Sequence, residues 1–79
     1  MDEAAATATA SRRSLDADLA TDGATDTESP AAHLHACELH RDAAAWWRRA
    51  GDLRLVERHE GWAKVHAQLA ARLTEDEES

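Results

Sequence analysis

Phenylalanine and tyrosine are absent from this 79-residue chain; cysteine, proline, methionine and lysine occur once each, and glycine three times. A single cysteine, Cys37, excludes an intramolecular disulfide and fits a reducing compartment, so the sequence predicts a cytoplasmic protein. No apolar run approaches the roughly 18 residues of a membrane span. The start, Met1-Asp2-Glu3 followed by Ala and Thr, lacks the basic and then apolar pattern of a secretory signal. Arg12-Arg13 is followed by Leu15-Asp16-Ala17-Asp18, where an export signal needs an apolar segment. Large apolar side chains are also scarce. The apolar share is 43%, but nineteen residues are alanine, and Leu, Ile, Val and Phe together stay below the roughly 20% that accompanies an ordinary core.

What is present is unevenly distributed. The net charge of −7 divides into −5 for residues 1–29, +2 for 30–73 and −4 for 74–79. All five histidines, all three tryptophans and Cys37 fall between residues 33 and 66. Residues 1–29 are almost wholly Ala, Thr, Asp and Ser, with Leu15 and Leu19 as the large apolar side chains after Met1. Such a stretch buries too little surface to offset its ordering entropy, so it reads as a disordered acidic tail. The Leu15/Leu19 spacing would permit at most a short helix on a partner. Residues 74–79 read as a second acidic tail.

Between the tails the pattern is helical. Ser29-Pro30 is a helix start, because serine caps free amides and proline at the first position loses no hydrogen bond. His33, Ala36, His40, Ala43, Trp47 and Ala50 then step by three and four. Gly51-Asp52 ends one helix and caps the next, whose stripe is Leu55, His59, Trp62, His66, Leu69 and Leu73. The expected fold is all-α: an antiparallel two-helix hairpin over 30–73, with helices at about 30–50 and 53–73. A seam made largely of Ala and His is thin for one copy, so dimerisation is expected to complete a four-helix bundle. The expected interface is Leu39, Trp46, Trp47, Leu55, Trp62, His66, Leu69 and Leu73. Residues 33–45 and 59–71 also share a pattern at an offset of 26, as an internal duplication would.

His33, Cys37 and His40 are successive neighbours on one helical face, and antiparallel pairing brings His66 opposite Cys37. Soft and borderline ligands gathered this way are the composition of a tetrahedral zinc site. The competing reading is that these imidazoles fill space at an interface, where acid would charge them against one another and weaken association near pH 5 to 6. Enzyme motifs are incomplete. His59-Glu60-Gly61-Trp62-Ala63 begins like the metalloprotease H-E-x-x-H but carries alanine at the second histidine. Glu38 and Glu57 lack the histidine three residues on that di-iron bundles use.

Arg48, Arg49, Arg54 and Arg58 cluster at the turn, but the acidic flanks repel nucleic acid and no DNA-binding spacing is present. Ala44, Trp47, Gly51-Asp52-Leu53 and Ala63 resemble fragments of one tetratricopeptide repeat, departing at Glu60 and Gln68; this resemblance implies a helical hairpin and a role in protein contacts. The sequence therefore points to a non-catalytic, cytoplasmic helical protein without cofactor that associates with itself or with a partner protein, and neither with membrane nor with nucleic acid. The alternative is a zinc-binding module using His33, Cys37, His40 and His66.

Overall fold

The computed structural model describes residues 2–27 and 29–78, and it contains three helices: α1 (Glu3–Thr27), α2 (Pro30–Ala50) and α3 (Leu53–Glu78). The all-α reading stands, but the two-helix hairpin with a disordered acidic N-terminal tail is corrected. Residues 3–27 form a 25-residue helix, and this segment of the same chain packs on the hairpin. At the other end, α3 runs on to Glu78 through most of the expected C-terminal tail.

Each helix start is capped. Asp2 Oδ1 accepts from the Ala5 amide at 2.7 Å, Ser29 Oγ from Ala32 at 3.0 Å, and Asp52 Oδ1 from Leu55 at 3.2 Å. Each bond satisfies an amide that has no partner within its own helix. Gly51 closes α2 in the left-handed region at φ 85°, where its amide and that of Asp52 donate to the Arg48 and Trp47 carbonyls. That conformation is the reason a glycine stands there.

The helices form a rod about 50 Å long. α2 lies in the middle, packed along both neighbours, while the α1 and α3 backbones approach each other only sparsely. Ser14 bonds Trp47 and Thr21 bonds His40, so numbers rise on α1 as they fall on α2, and the two are antiparallel. Ser14 to His59 and Thr21 to His66 are both separations of 45, so α1 and α3 run parallel.

The face that α1 turns inward is Ala6, Ala10, Ser14, Ala17, Thr21 and Ala24, stepping by three and four. Its alanines are at most 2% exposed, whereas Leu15 and Leu19 stand outward at 59% and 60%. The leucines that look like the sticky part of this segment are therefore on its solvent side. Small side chains allow the close approach to α2 that larger ones would prevent. The rest of the buried set is also small or polar: Ala36, Cys37, Ala43, Ala44, Ala50, Val56, Ala63 and Ala70, with Trp47 as the one bulky apolar member among the described residues. Exposed ion pairs join the elements at Arg13–Asp42 (3.5 Å) and Arg48–Glu60 (2.8 Å), and contribute little.

Candidate functional site

The largest fully buried side chains are His40, His59 and His66, and His33 is buried beside them. Their placement follows from one rule: Ser14 and Thr21 on α1, His33 and His40 on α2, and His59 and His66 on α3 each lie seven residues apart, so they recur on the inner face every two turns. The offset of 26 relates His33 to His59 and His40 to His66, so the hairpin carries two equivalent antiparallel pairs, His33 with His66 and His40 with His59. In each pair the Nδ1 atoms are 2.8 Å apart and the ring centroids 5.0 Å apart.

Hydroxyls of α1 join these pairs. Thr21 Oγ1 sits 2.7 Å from His40 Nε2 and 3.0 Å from His66 Nε2, and Ser14 Oγ sits 2.7 Å from His59 Nε2. The Trp47 indole donates to Ser14 Oγ at 2.6 Å. The result is one continuous line: Trp47, Ser14, His59, His40, Thr21, His66, His33. Among the described residues no fully buried side-chain nitrogen or oxygen lacks a partner.

One proton assignment satisfies the whole line. An indole N–H can only donate, so Ser14 accepts from Trp47, and in this assignment the Ser14 proton is directed to His59 Nε2. Thr7, Thr25, Thr27 and Thr74 turn their hydroxyls back to the carbonyl four residues earlier, whereas the Ser14 and Thr21 hydroxyls face imidazoles. With Nε2 accepting, neutral His59 carries its proton on Nδ1 and donates to His40 Nδ1. His40 then donates from Nε2 to Thr21, Thr21 donates to His66 Nε2, and His66 donates from Nδ1 to His33 Nδ1. The tautomers alternate along the line, and each link requires the imidazoles to be neutral.

The electrostatics agree. Burial, followed by the charges of His59 and His66, lowers His40 from 6.5 to about 4, with Asp18 opposing and Arg58 adding to the shift. Burial also lowers His59, with Asp18 opposing and Arg58 assisting, and lowers His66, with the charge of His33 assisting. Charging any of them would place a donor where the line needs an acceptor.

The ring faces are covered unequally. Trp62 lies 6.2 Å from His40 and 6.0 Å from His66, both stacked, yet stays 41% exposed. Asp18, exposed on α1, forms with His40 and His59 a group whose candidate ligand atoms all lie within 4.8 Å of one another.

The expected zinc ligands are thus divided. His33 and His66 form one pair, His40 belongs to the other, and Cys37 is buried on α2 as a free thiol outside the three-ligand group found among the described residues. Of the expected interface residues, Trp47 and His66 are buried within the chain itself, Leu39, Trp46, Leu55, Leu69 and Leu73 are half-buried, and Trp62 is exposed. Trp46 carries the Arg49 guanidinium over its ring at 4.8 Å. Sequence reasoning missed Ser14, Thr21 and Asp18. Their only signal is the seven-residue step shared by Ser14 and Thr21 with the histidines of the other helices.

No protein-family model, no curated protein and no solved structure matches the chain.

Proposed function

We propose that this chain is a small non-catalytic association module whose occupant is a second copy of itself, bound across the open flank between α1 and α3. The observation that carries this reading is an inversion of bulk. The interior is mostly alanine, histidine and hydroxyl around Trp47 and Val56, while Leu15, Val65 and Trp62 are 59%, 42% and 41% exposed. Contiguous exposed apolar side chains, rather than single ones such as Leu34 or Leu53, mark an interaction surface.

Helical phase groups these residues on one flank. Arg13–Asp42 and Arg48–Glu60 mark the flanks of α1 and α3 that face α2. Leu55, Trp62, Leu69 and Leu73 lie on the opposite flank of α3, toward α1, with Arg58 and Val65 outside them. On α1, Asp18, Asp22 and Leu15 line the facing rim. The α1 side of this flank is acidic and the α3 side basic and apolar, so a two-fold axis running along the flank would set the acidic rim of each copy on the basic rim of the other. The free thiol of Cys37 suits a reducing, cytoplasmic setting for such a module. No described helix is long and apolar enough to cross a membrane.

Sedimentation velocity from 1 to 100 µM tests this. Leu15→Lys and Val65→Lys change exposed side chains outside the histidine line, so both variants should keep wild-type helicity. The wild type should sediment as a dimer by the top of that range and the variants as monomers. A wild-type monomer at 100 µM, or variants that dimerise as well as wild type, refutes the reading.

A further inference from the structure

Two buried imidazoles and one exposed carboxylate converge at the α1/α3 edge, and their outer contacts are those of metal ligands. His40 and His59 point their Nδ1 atoms at each other at 2.8 Å, while the far nitrogen of each ring is held by a hydroxyl, Thr21 for His40 and Ser14 for His59. Metal-bound histidines nearly always donate from the second nitrogen to an acceptor, which sets tautomer and ring orientation; His40 does so to Thr21 in the assignment above, and His59 would do so to Ser14 after a tautomer change. Asp18 adds a carboxylate within 4.8 Å of both, open to solvent. We propose that Asp18, His40 and His59 form a binding site for a zinc-class divalent transition metal, with two imidazole nitrogens, one carboxylate oxygen and a water as the fourth ligand.

The chemistry selects the ion. Two nitrogens and one oxygen suit Zn²⁺ or Co²⁺ rather than the all-oxygen shells of Mg²⁺ and Ca²⁺. Cys37 takes no part, which separates this site from the one the sequence suggested.

The protons balance without a co-reactant. In the metal-free line His40 already carries its proton on Nε2, leaving Nδ1 free to ligate. His59 carries its proton on Nδ1 and must move it to Nε2. Ser14 then accepts from both His59 Nε2 and Trp47, and turns its own proton to a backbone carbonyl of its helix, as Thr7, Thr25 and Thr27 already do. One hydroxyl rotation and one tautomer change open the site, while Thr21, His66 and His33 keep their bonds. The His40–His59 hydrogen bond is exchanged for two metal–nitrogen bonds.

The experiment uses the full chain stripped of metal with a chelator. Zn²⁺ is titrated against a chromophoric chelator, and Co²⁺ is followed by its visible absorption. The expected result is one ion per chain, a tetrahedral Co²⁺ spectrum, and transfer of the His59 proton from Nδ1 to Nε2 in nitrogen-detected NMR. Asp18→Asn, an exposed change checked for unaltered helicity, should weaken binding by about 10-fold or more, a loss on the scale of disturbing a ligand shell. Cys37→Ser should leave binding unchanged. The proposal is overturned by no binding at 100 µM Zn²⁺, by Asp18→Asn binding as tightly as wild type, or by loss of binding in Cys37→Ser. Because Asp18 also lies on the rim of the proposed interface, the titrations are run on Leu15→Lys, which removes association without touching the metal site, as well as on wild type, so failure of one proposal is distinguishable from failure of the other.

Discussion

Among the described residues Thr21 is the hydrogen-bonding junction between the two histidine pairs, which otherwise meet through ring stacking of His40 on His66, and Thr21→Val removes that junction while keeping the β-branched shape. The hydroxyl lies 2.7 Å from His40 Nε2 and 3.0 Å from His66 Nε2, and these rings are 0% and 2% exposed. Valine leaves a buried donor on one and a buried acceptor on the other. Each unsatisfied group costs about 1–3 kcal/mol, and because Thr21 itself is half-buried some water can reach the gap, so the expected loss is about 2–4 kcal/mol. Helix propensity contributes almost nothing, since Val and Thr rank together. For a chain of this size the loss corresponds to a fall in Tm of at least roughly 10 °C. Urea unfolding followed by helicity and by tryptophan emission measures it, with two controls. Thr21→Ser keeps the hydroxyl and should cost about 1 kcal/mol for the missing methyl. Thr25→Val removes an exposed hydroxyl that bonds only the Thr21 carbonyl, and should change stability by less than about 0.5 kcal/mol. If Thr21→Val falls within about 0.5 kcal/mol of wild type, or costs no more than Thr25→Val, the buried line is not what holds α1 in place.

Two further outcomes follow from the same geometry. In metal-free protein, stability should be full above about pH 6.5 and fall as the pH drops toward 4, because the unfolded chain binds protons that folded His40 refuses, with His59 and His66 acting in the same direction. Urea midpoints that do not move between pH 7 and 4.5 would contradict neutral imidazoles in the core. At the hairpin turn, Gly51→Ala should cost about 1–2 kcal/mol from its φ of 85° alone, since a Cβ there would meet only Glu3 Oε1 at an ordinary 3.9 Å; an unchanged melting temperature would mean that the turn has another conformation.

The hairpin was legible because its signals are local. Serine before proline and glycine before aspartate act on their own backbone wherever they stand, and the structure carries both caps and the tight turn between α2 and α3. The helical stripe correctly put His33, His40, His59 and His66 on inner faces, since a three-and-four step is a property of one helix. The expected ligand set is divided between two pairs for a geometric reason. The pairing of His33 with His66 and His40 with His59 depends on how two helices register, and the bulk of a third helix bears on that register.

The sequence by itself determined where the two helices of the hairpin begin, where α2 ends and that His33, His40, His59 and His66 face inward. Tertiary structure alone decided that residues 3–27 form a wall of the bundle, because alanine and hydroxyl positions carry little hydrophobic signal and acquire their value only from what faces them. Ser14 and Thr21 are indifferent on an isolated helix and in water. Opposite His59, His40 and His66 they supply the partners that make four buried imidazoles tolerable, and that complementarity is a property of three helices together.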